Sequence, residues 1–203
     1  MNLSYEESRE TKVNQLDDKD RKGAIAYHFK KIMEELGLDL SDPSLEDTPK
    51  RVAKMLVDET CHGLFSEPPI VTTFPLDENT TRDLVIIRDI PFNSMCEHHF
   101  QPFIGTATIA YLPGNRIMGL SKAARVVDYY ASRPQVQERL TGQIADFLMA
   151  ELQAHGVLVM VQAEHMCMSV RGVKKHGSTT LTTAIRGDIE KQEVISSLHL
   201  DRR

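Results

Sequence analysis

The chain has 203 residues, enough for one domain with an extension and a proper core. A formal net charge of −5 argues against general nucleic-acid binding, and no apolar run approaches the ~20 residues that span a membrane. Three cysteines, an odd number, argue against a disulfide framework and suit a reducing cytosol.

Residues 1–18 mix charges with few apolar positions and are expected to form a mobile arm. Met1–Glu7 carries neither the basic nor the apolar region of a signal peptide, so a cytoplasmic location is expected. From Lys19 to Leu36 the apolar positions Ile25, Phe29, Ile32, Met33 and Leu36 follow one face of a helix, closed by Gly37. Thr48 and Pro49 read as the N-cap and first residue of a second helix, which carries Val52, Met55 and Leu56 and runs to about Cys61. Residues 19–66 thus form an N-terminal helical extension, and residues 67–203 the main domain.

That domain opens with strands at Asp83–Asp89, preceded by an edge at Ile70–Phe74, and at Ile104–Leu112. Pro113-Gly114-Asn115 is a turn. Ser121 is read as the cap of a helix over Lys122–Ser132. Pro134 then starts a second helix or forces a kink. Its buried stripe is Val136, Leu140, Ile144, Phe147, Leu148 and Leu152, and Gly156 ends it. Val157–Val170 and Thr179–Arg186 are the last strands. This order implies an α+β fold, an antiparallel sheet with helices on one face.

Cys96-Glu97-His98-His99 lies in the connection between the first two strands, where loops held by a sheet commonly carry chemistry. Cys96 and His99, three apart, point the same way on a tight turn and can hold one metal ion. Cys167 is the candidate third ligand. A Cys2His set leaves the fourth zinc position open, the pattern of a catalytic site. The alternative is that these cysteines are buried small hydrophobes. On a strand, His165, Cys167, Ser169 and Arg171 would share one face, setting a ligand, a proton carrier, a hydroxyl and a cation in a row. His98 and His165 lie beside proposed ligands and are suited to proton transfer near neutral pH. Lys122 and Arg125 share a helix face beside Ser121, near backbone N–H groups that favour anions. Ordinary solvated cations are the alternative there. Cys61-His62 is a second Cys-His pair without a partner and is read as structural.

Four segments, in order, carry a wider likeness: Ser94-Met95-Cys96-Glu97-His98-His99, Gly119-Leu120-Ser121-Lys122, Arg133-Pro134-Gln135-Val136-Gln137-Glu138-Arg139-Leu140 and His165-Met166-Cys167-Met168-Ser169-Val170-Arg171-Gly172. Together they resemble the signature segments of GTP cyclohydrolase I, over about residues 20–188. The resemblance implies the tunnelling fold, in which sheets from several subunits join into a barrel, usually in a homodecamer with sites at subunit boundaries. It implies Zn2+ on Cys96, His99 and Cys167, lowering the pKa of a bound water from about 15.7 to about 7. The implied reaction attacks C8 of GTP and yields formate and 7,8-dihydroneopterin triphosphate, the first step of tetrahydrofolate and pterin biosynthesis. It assigns His165 to protonating the purine nitrogen, and His98 and Ser121 to the ribose end. Arg51, Lys122, Arg125 and Arg171 are assigned to the triphosphate, although Arg51 by itself reads equally as an exposed helix arginine. Gln137 and Glu138 are assigned to reading guanine. His176 departs from the family pattern, in the loop after Arg171. Two other readings remain: a nitrile reductase on the same fold, which needs a cysteine nucleophile, and a non-catalytic zinc staple, which needs a fourth protein ligand, for which Glu97 is the candidate.

Overall fold

A computed structural model describes residues 17–77 and 82–199, and the chain divides between Glu67 and Pro68 into two compact units. The expected arm therefore lies outside the described residues, except that Asp17 and Asp18 open a helix instead. Asp17 caps α1 (Asp18–Glu35), its carboxylate accepting the Asp20 N–H at 2.8 Å. Gly37, at φ 73°, closes it in the left-handed conformation that glycine adopts without steric cost. Of the expected apolar face only Met33 is buried, while Ile32 and Leu36 stand 53% and 70% exposed. Helix α2 (Thr48–Lys54) begins with Thr48 as its first residue and Asp47 in the cap position, one residue earlier than expected. It continues as a wider π-type turn over Met55–Thr60 and stops at Cys61, burying Ala53 and Val57.

In the second unit β1 (Thr73–Pro75) pairs with β4 (Arg116–Met118). The main sheet contains β2 (Val85–Cys96), β3 (Pro102–Leu112), β5 (Pro134–Gln135), β6 (Gly156–His165) and β7 (Thr179–Gly187), in the order β5-β2-β3-β6-β7. Its ladders are antiparallel except for the two-residue β2–β5 pairing, which is parallel. Helices α3 (Leu120–Ala131) and α4 (Gln137–Leu152) pack on one face. There Val126, Val127, Leu140, Ile144, Leu148 and Leu152 meet Phe103, Ile109, Tyr111, Val157, Val159 and Val161. The period of four along α4 and of two along β3 and β6 is what the two layers need. The architecture is the expected α+β fold with antiparallel sheet and helices, preceded by the N-terminal helices.

Several boundaries differ from the sequence reading. Strand β2 runs on to Cys96 because a bulge at Arg88–Asp89, with Asp89 at φ 57°, absorbs the charged pair and lets Ile90 and Phe92 return to the core. Gly119, not Ser121, caps α3, so Ser121 lies in the first turn. Pro134 neither starts nor kinks a helix. It sits in β5 at the sheet edge, where a missing N–H costs no ladder bond. Gln153, at φ 47°, ends α4, and Gly156 opens β6 instead. Strand β6 stops at His165, and Met166–Ser169 form a helical turn, α5. A helix absent from the sequence reading, α6 (Lys191–His199), covers the opposite face at Ala110 and Leu158 through Val194.

Gly105 on β3 faces β6 so closely that an added Cβ would overlap the Gln162 carbonyl and lie 2.7 Å from Ala163 Cα. Gly23, within α1, has nothing within 4 Å of that position. Gly105→Ala is expected to destabilise the domain by about 1–3 kcal/mol or more, whereas Gly23→Ala should stabilise by about 0.5–1 kcal/mol. Urea unfolding of the two variants against the parent measures both, and equal midpoints would contradict the close β3–β6 approach.

Candidate metal centre and active site

The centre is built where three strands end together. Met95 pairs with Pro102, so β2 and β3 are joined by a tight turn over Cys96–Gln101. The Cys96 N–H donates to the Gln101 carbonyl at 2.8 Å, and the Phe100 N–H donates to the Cys96 carbonyl at 2.8 Å. Phe100, at φ 51°, reverses the chain. Strand β3 pairs in turn with β6, setting Phe103 opposite His165. The chain then coils into α5, which carries Cys167 back toward the turn.

Cys96 Sγ, a ring nitrogen of His99 and Cys167 Sγ lie within 4.8 Å of one another. Cys96 is buried, Cys167 half-buried and His99 exposed. A tetrahedral zinc ion with bonds of about 2.0–2.3 Å holds its ligands roughly 3.3–3.8 Å apart, so this Cys2His set fits the ion with modest closure. Burial, and then the neighbouring Cys96 thiol, push the Cys167 thiol above its ordinary value. A divalent cation beside the two sulfurs would offset the cost of charging Cys167. Among the described residues no other group of three such side chains forms.

Glu97 is not available as a fourth ligand. Arg139 on α4 grips both of its oxygens, at 2.6 and 3.0 Å, and the Glu97 N–H donates to the Gln135 carbonyl. This bidentate pair ties the turn to α4 and β5. Sequence reasoning missed Arg139, because a pairing across 42 residues leaves no local signal.

His98 is exposed on the same turn, its Nδ1 3.9 Å from Cys96 Sγ, and its ring meets that of His99 edge-on at 6.4 Å. His165 stands at the end of β6, stacked on Phe103 at 4.6 Å with 6° between the rings. Its Nε2 is 2.7 Å from Gln137 Oε1. Burial lowers its pKa below the ordinary histidine value, and the Glu138 carboxylate partly opposes this. Neutral His165 is therefore the dominant form at pH 7. Glu138 itself is exposed in the first turn of α4, near enough to His165 to act on its charge.

The expected row of His165, Cys167, Ser169 and Arg171 on one strand face is not formed. The helical turn takes its place, closed by the Val170 N–H to the Met166 carbonyl and by Ser169 Oγ, which donates to Glu164 Oε1 at 2.6 Å. Ser169 is buried by that bond. Arg171 is exposed on the following loop, close enough to Cys167 to favour its thiolate. Gln137, expected to read a base, is 2% exposed, with its amide turned inward. Ser121, Lys122 and Arg125 lie in the first turns of α3 and, among the described residues, make no hydrogen bond or ion pair with the cluster. Arg51 is exposed on α2, in the first unit.

Comparison with known proteins covers the segment that holds these residues. The family description "GTP cyclohydrolase I" matches residues 25–201. GTP cyclohydrolase 1 of Clostridioides difficile is 51% identical over 171 residues, covering 84% of this chain and 90% of that protein. The protein of the same name from Geobacillus sp. is 50% identical over 173 residues, with coverages of 84% and 90%. That of Halalkalibacterium halodurans is 52% identical over 159 residues, with coverages of 77% and 82%. A solved archaeosine synthase QueF-like chain superimposes at a TM-score of only 0.46 and 17% identity, over 55% of this chain and all of its own. With residues 25–201 matched to the family description and about half the residues shared with proteins of one name across most of its length, this chain belongs to the GTP cyclohydrolase I family.

Proposed function

We propose that this protein is a zinc-dependent GTP cyclohydrolase I, hydrolysing GTP at C8 to give formate and 7,8-dihydroneopterin triphosphate, the first step of tetrahydrofolate and pterin biosynthesis. The observation that carries the proposal is the convergence of Cys96, His99 and Cys167 within 4.8 Å, with His98 and His165 adjoining them, in a chain about half identical to proteins of that name. Cys96, His99 and Cys167 would hold the ion. When bound, Zn2+ lowers the pKa of water enough to supply a nucleophile at neutral pH.

The chain's own residues do the rest. His165, kept neutral by burial, would take up on its free ring nitrogen a proton released as water adds at C8, and hand it to the imidazole nitrogen of the purine as the C8 bonds break. His98, on the exposed side of the turn, moves protons at the ribose end, where Ser121 supplies a hydroxyl. Lys122, Arg125 and Arg171 would neutralise the triphosphate, joined by Arg51 of another chain of the oligomer, positive charge that a protein of net charge −5 must supply locally. Glu138 faces the guanine edge, where a carboxylate matches the paired donors N1–H and the 2-amino group. The working form is proposed to be a homodecamer in which chains share sites, which accounts for the α3 cations making, among the described residues, no hydrogen bond or ion pair with the Cys-His-Cys cluster. No nucleic acid or membrane partner is proposed, and among the described residues no helix is long and apolar enough to cross a membrane. The proposed location is cytoplasmic.

The nitrile reductase reading needs a cysteine nucleophile clear of metal, whereas Cys96 and Cys167 both lie within 4.8 Å of the same His99 ring nitrogen, an arrangement suited to sharing an ion. The staple reading loses its fourth ligand to Arg139.

Zinc-loaded protein given GTP should release formate and a product that becomes a fluorescent pterin on oxidation. Cys167→Ala should lose both activity and bound zinc, whereas His165→Ala should keep zinc and GTP binding and lose turnover by about 10²–10⁴ or more. Elemental analysis showing full zinc in Cys167→Ala would remove that residue from the centre. For Glu138→Ala, calorimetry should show weaker GTP binding and a smaller preference over ATP, because the exposed Glu138 carboxylate is covered when a base docks on it, adenine leaves it unpaired, and sites of that kind reject the wrong base by about 10⁴–10⁵. An unchanged preference would place base selection elsewhere.

A further inference from the structure

The side chain of Gln137 is surrounded on all sides by protein groups, and their identities determine how it is turned. Its Nε2 lies 2.9 Å from the Val161 carbonyl, 3.0 Å from the Thr180 carbonyl and 3.1 Å from Thr182 Oγ1. Main-chain carbonyls only accept, so the amide nitrogen must face them. The flipped amide would set its oxygen against two carbonyl oxygens. The neighbouring hydroxyls are committed in the same sense. Thr141 Oγ1 donates to the Gln137 carbonyl at 2.7 Å, so at the 2.6 Å contact between the two threonines Thr182 is the donor. Every hydrogen in this network has one direction, and the network ends on main-chain oxygens.

Gln137 Oε1 therefore points at His165. An amide oxygen only accepts, so at 2.7 Å the hydrogen sits on His165 Nε2. With Nε2 engaged by the amide, Nδ1 is the ring nitrogen left to meet substrate. The stacked Phe103 ring fixes the plane of the imidazole, and the amide fixes its rotation within that plane.

We propose that Gln137 is a positioning residue: it holds the His165 ring with Nε2–H bound to the amide and Nδ1 presented for proton exchange with substrate, and it does not read guanine with its side chain. This rests on the function proposed above for the catalytic step, while the ring orientation rests on the hydrogen-bond network alone. The proposal replaces the base-reading role expected for Gln137, since both amide hydrogens are already engaged inside the protein.

The test uses the zinc-loaded full chain, with Gln137→Leu and Thr182→Val compared with the parent. Gln137→Leu should keep its zinc and its GTP affinity by calorimetry, while formate release at saturating GTP falls about 10²-fold or more. Thr182→Val, which removes one anchor of the amide and touches neither His165 nor substrate, should fall in the same direction by less, again in kcat and not in affinity. If Gln137→Leu fails to fold, Thr182→Val carries the comparison. Full turnover in either folded variant would overturn the proposal. So would a loss of GTP affinity together with a reduced preference for GTP over ATP, because that pattern assigns Gln137 to the base. In the parent, 15N spectra of labelled histidine should show His165 with hydrogen on Nε2 rather than on Nδ1 alone. The reverse pattern overturns the orientation whether or not GTP is turned over. A parent that releases no formate, with the expected spectrum, would instead refute the proposed function and the catalytic part of this inference, leaving the orientation standing.

Discussion

The site depends first on the register of β2, β3 and β6. Met95 opposite Pro102 makes the Cys96 turn tight, and Phe103 opposite His165 brings the end of β6 alongside it. Side chains alternate with a period of two, so a slip of one residue in either ladder would turn His165 and Phe103 to the other face. That register is held by burial rather than by the site. Val157, Val159, Val161 and Ala163 on β6 and Phe103, Ala107, Ile109 and Tyr111 on β3 meet α3 and α4, and a slip would expose the whole row. The glycine at 105 lets the two strands approach closely beside the centre. The hydrophobic core thus fixes the ligand geometry, and the polar residues refine it.

The refinement is done by charge. The Arg139–Glu97 pair anchors the turn from α4, and Gln135 anchors it from β5. On the other side of the centre Glu164 accepts from Ser169 Oγ and from the Gly177 N–H, joining the two ends of the segment that carries Cys167, Arg171, Lys174 and Lys175. These donors, the Ser169 hydroxyl first, hold the Glu164 carboxyl below the usual glutamate value. Its contribution is complete above the ordinary carboxyl pKa and is lost as pH falls through the lowered one, well outside the neutral range. For His165 the sign is the same. Its folded pKa lies below the ordinary 6.5, so the unfolded chain binds more protons in that window and stability declines as pH falls through it.

The helix stripes and most strands were legible because their periods are local and regular. Leu140, Ile144, Leu148 and Leu152 are all fully buried, as their spacing requires. The meeting of Cys96, His99 and Cys167 was legible for a different reason: cysteine and histidine at short spacing carry chemistry in their identity. The misreadings share one physical cause. The stop of β6 at His165 is decided by Ser169 bonding to Glu164, and the placement of Pro134 by a parallel pairing with Met95. The inward turn of Gln137 is decided by carbonyls on β6 and β7. Each is a long-range or side-chain contact that overrides local propensity, and none has a period. Helix α6 escaped notice because it is short, nine residues, and its apolar stripe of Val194, Ile195 and Leu198 spans little more than one turn beside the charges of Lys191 and Glu193.

The central claim is that Cys96, His99 and Cys167 together form an open three-ligand zinc centre. X-ray absorption at the zinc edge of the loaded full-length protein tests it most directly. The account predicts a four-coordinate ion with two sulfur ligands at about 2.3 Å and two nitrogen or oxygen ligands at about 2.0–2.2 Å, one of the latter exchangeable. A shell with one sulfur or none, or one closed by four protein ligands with nothing exchangeable, would contradict it.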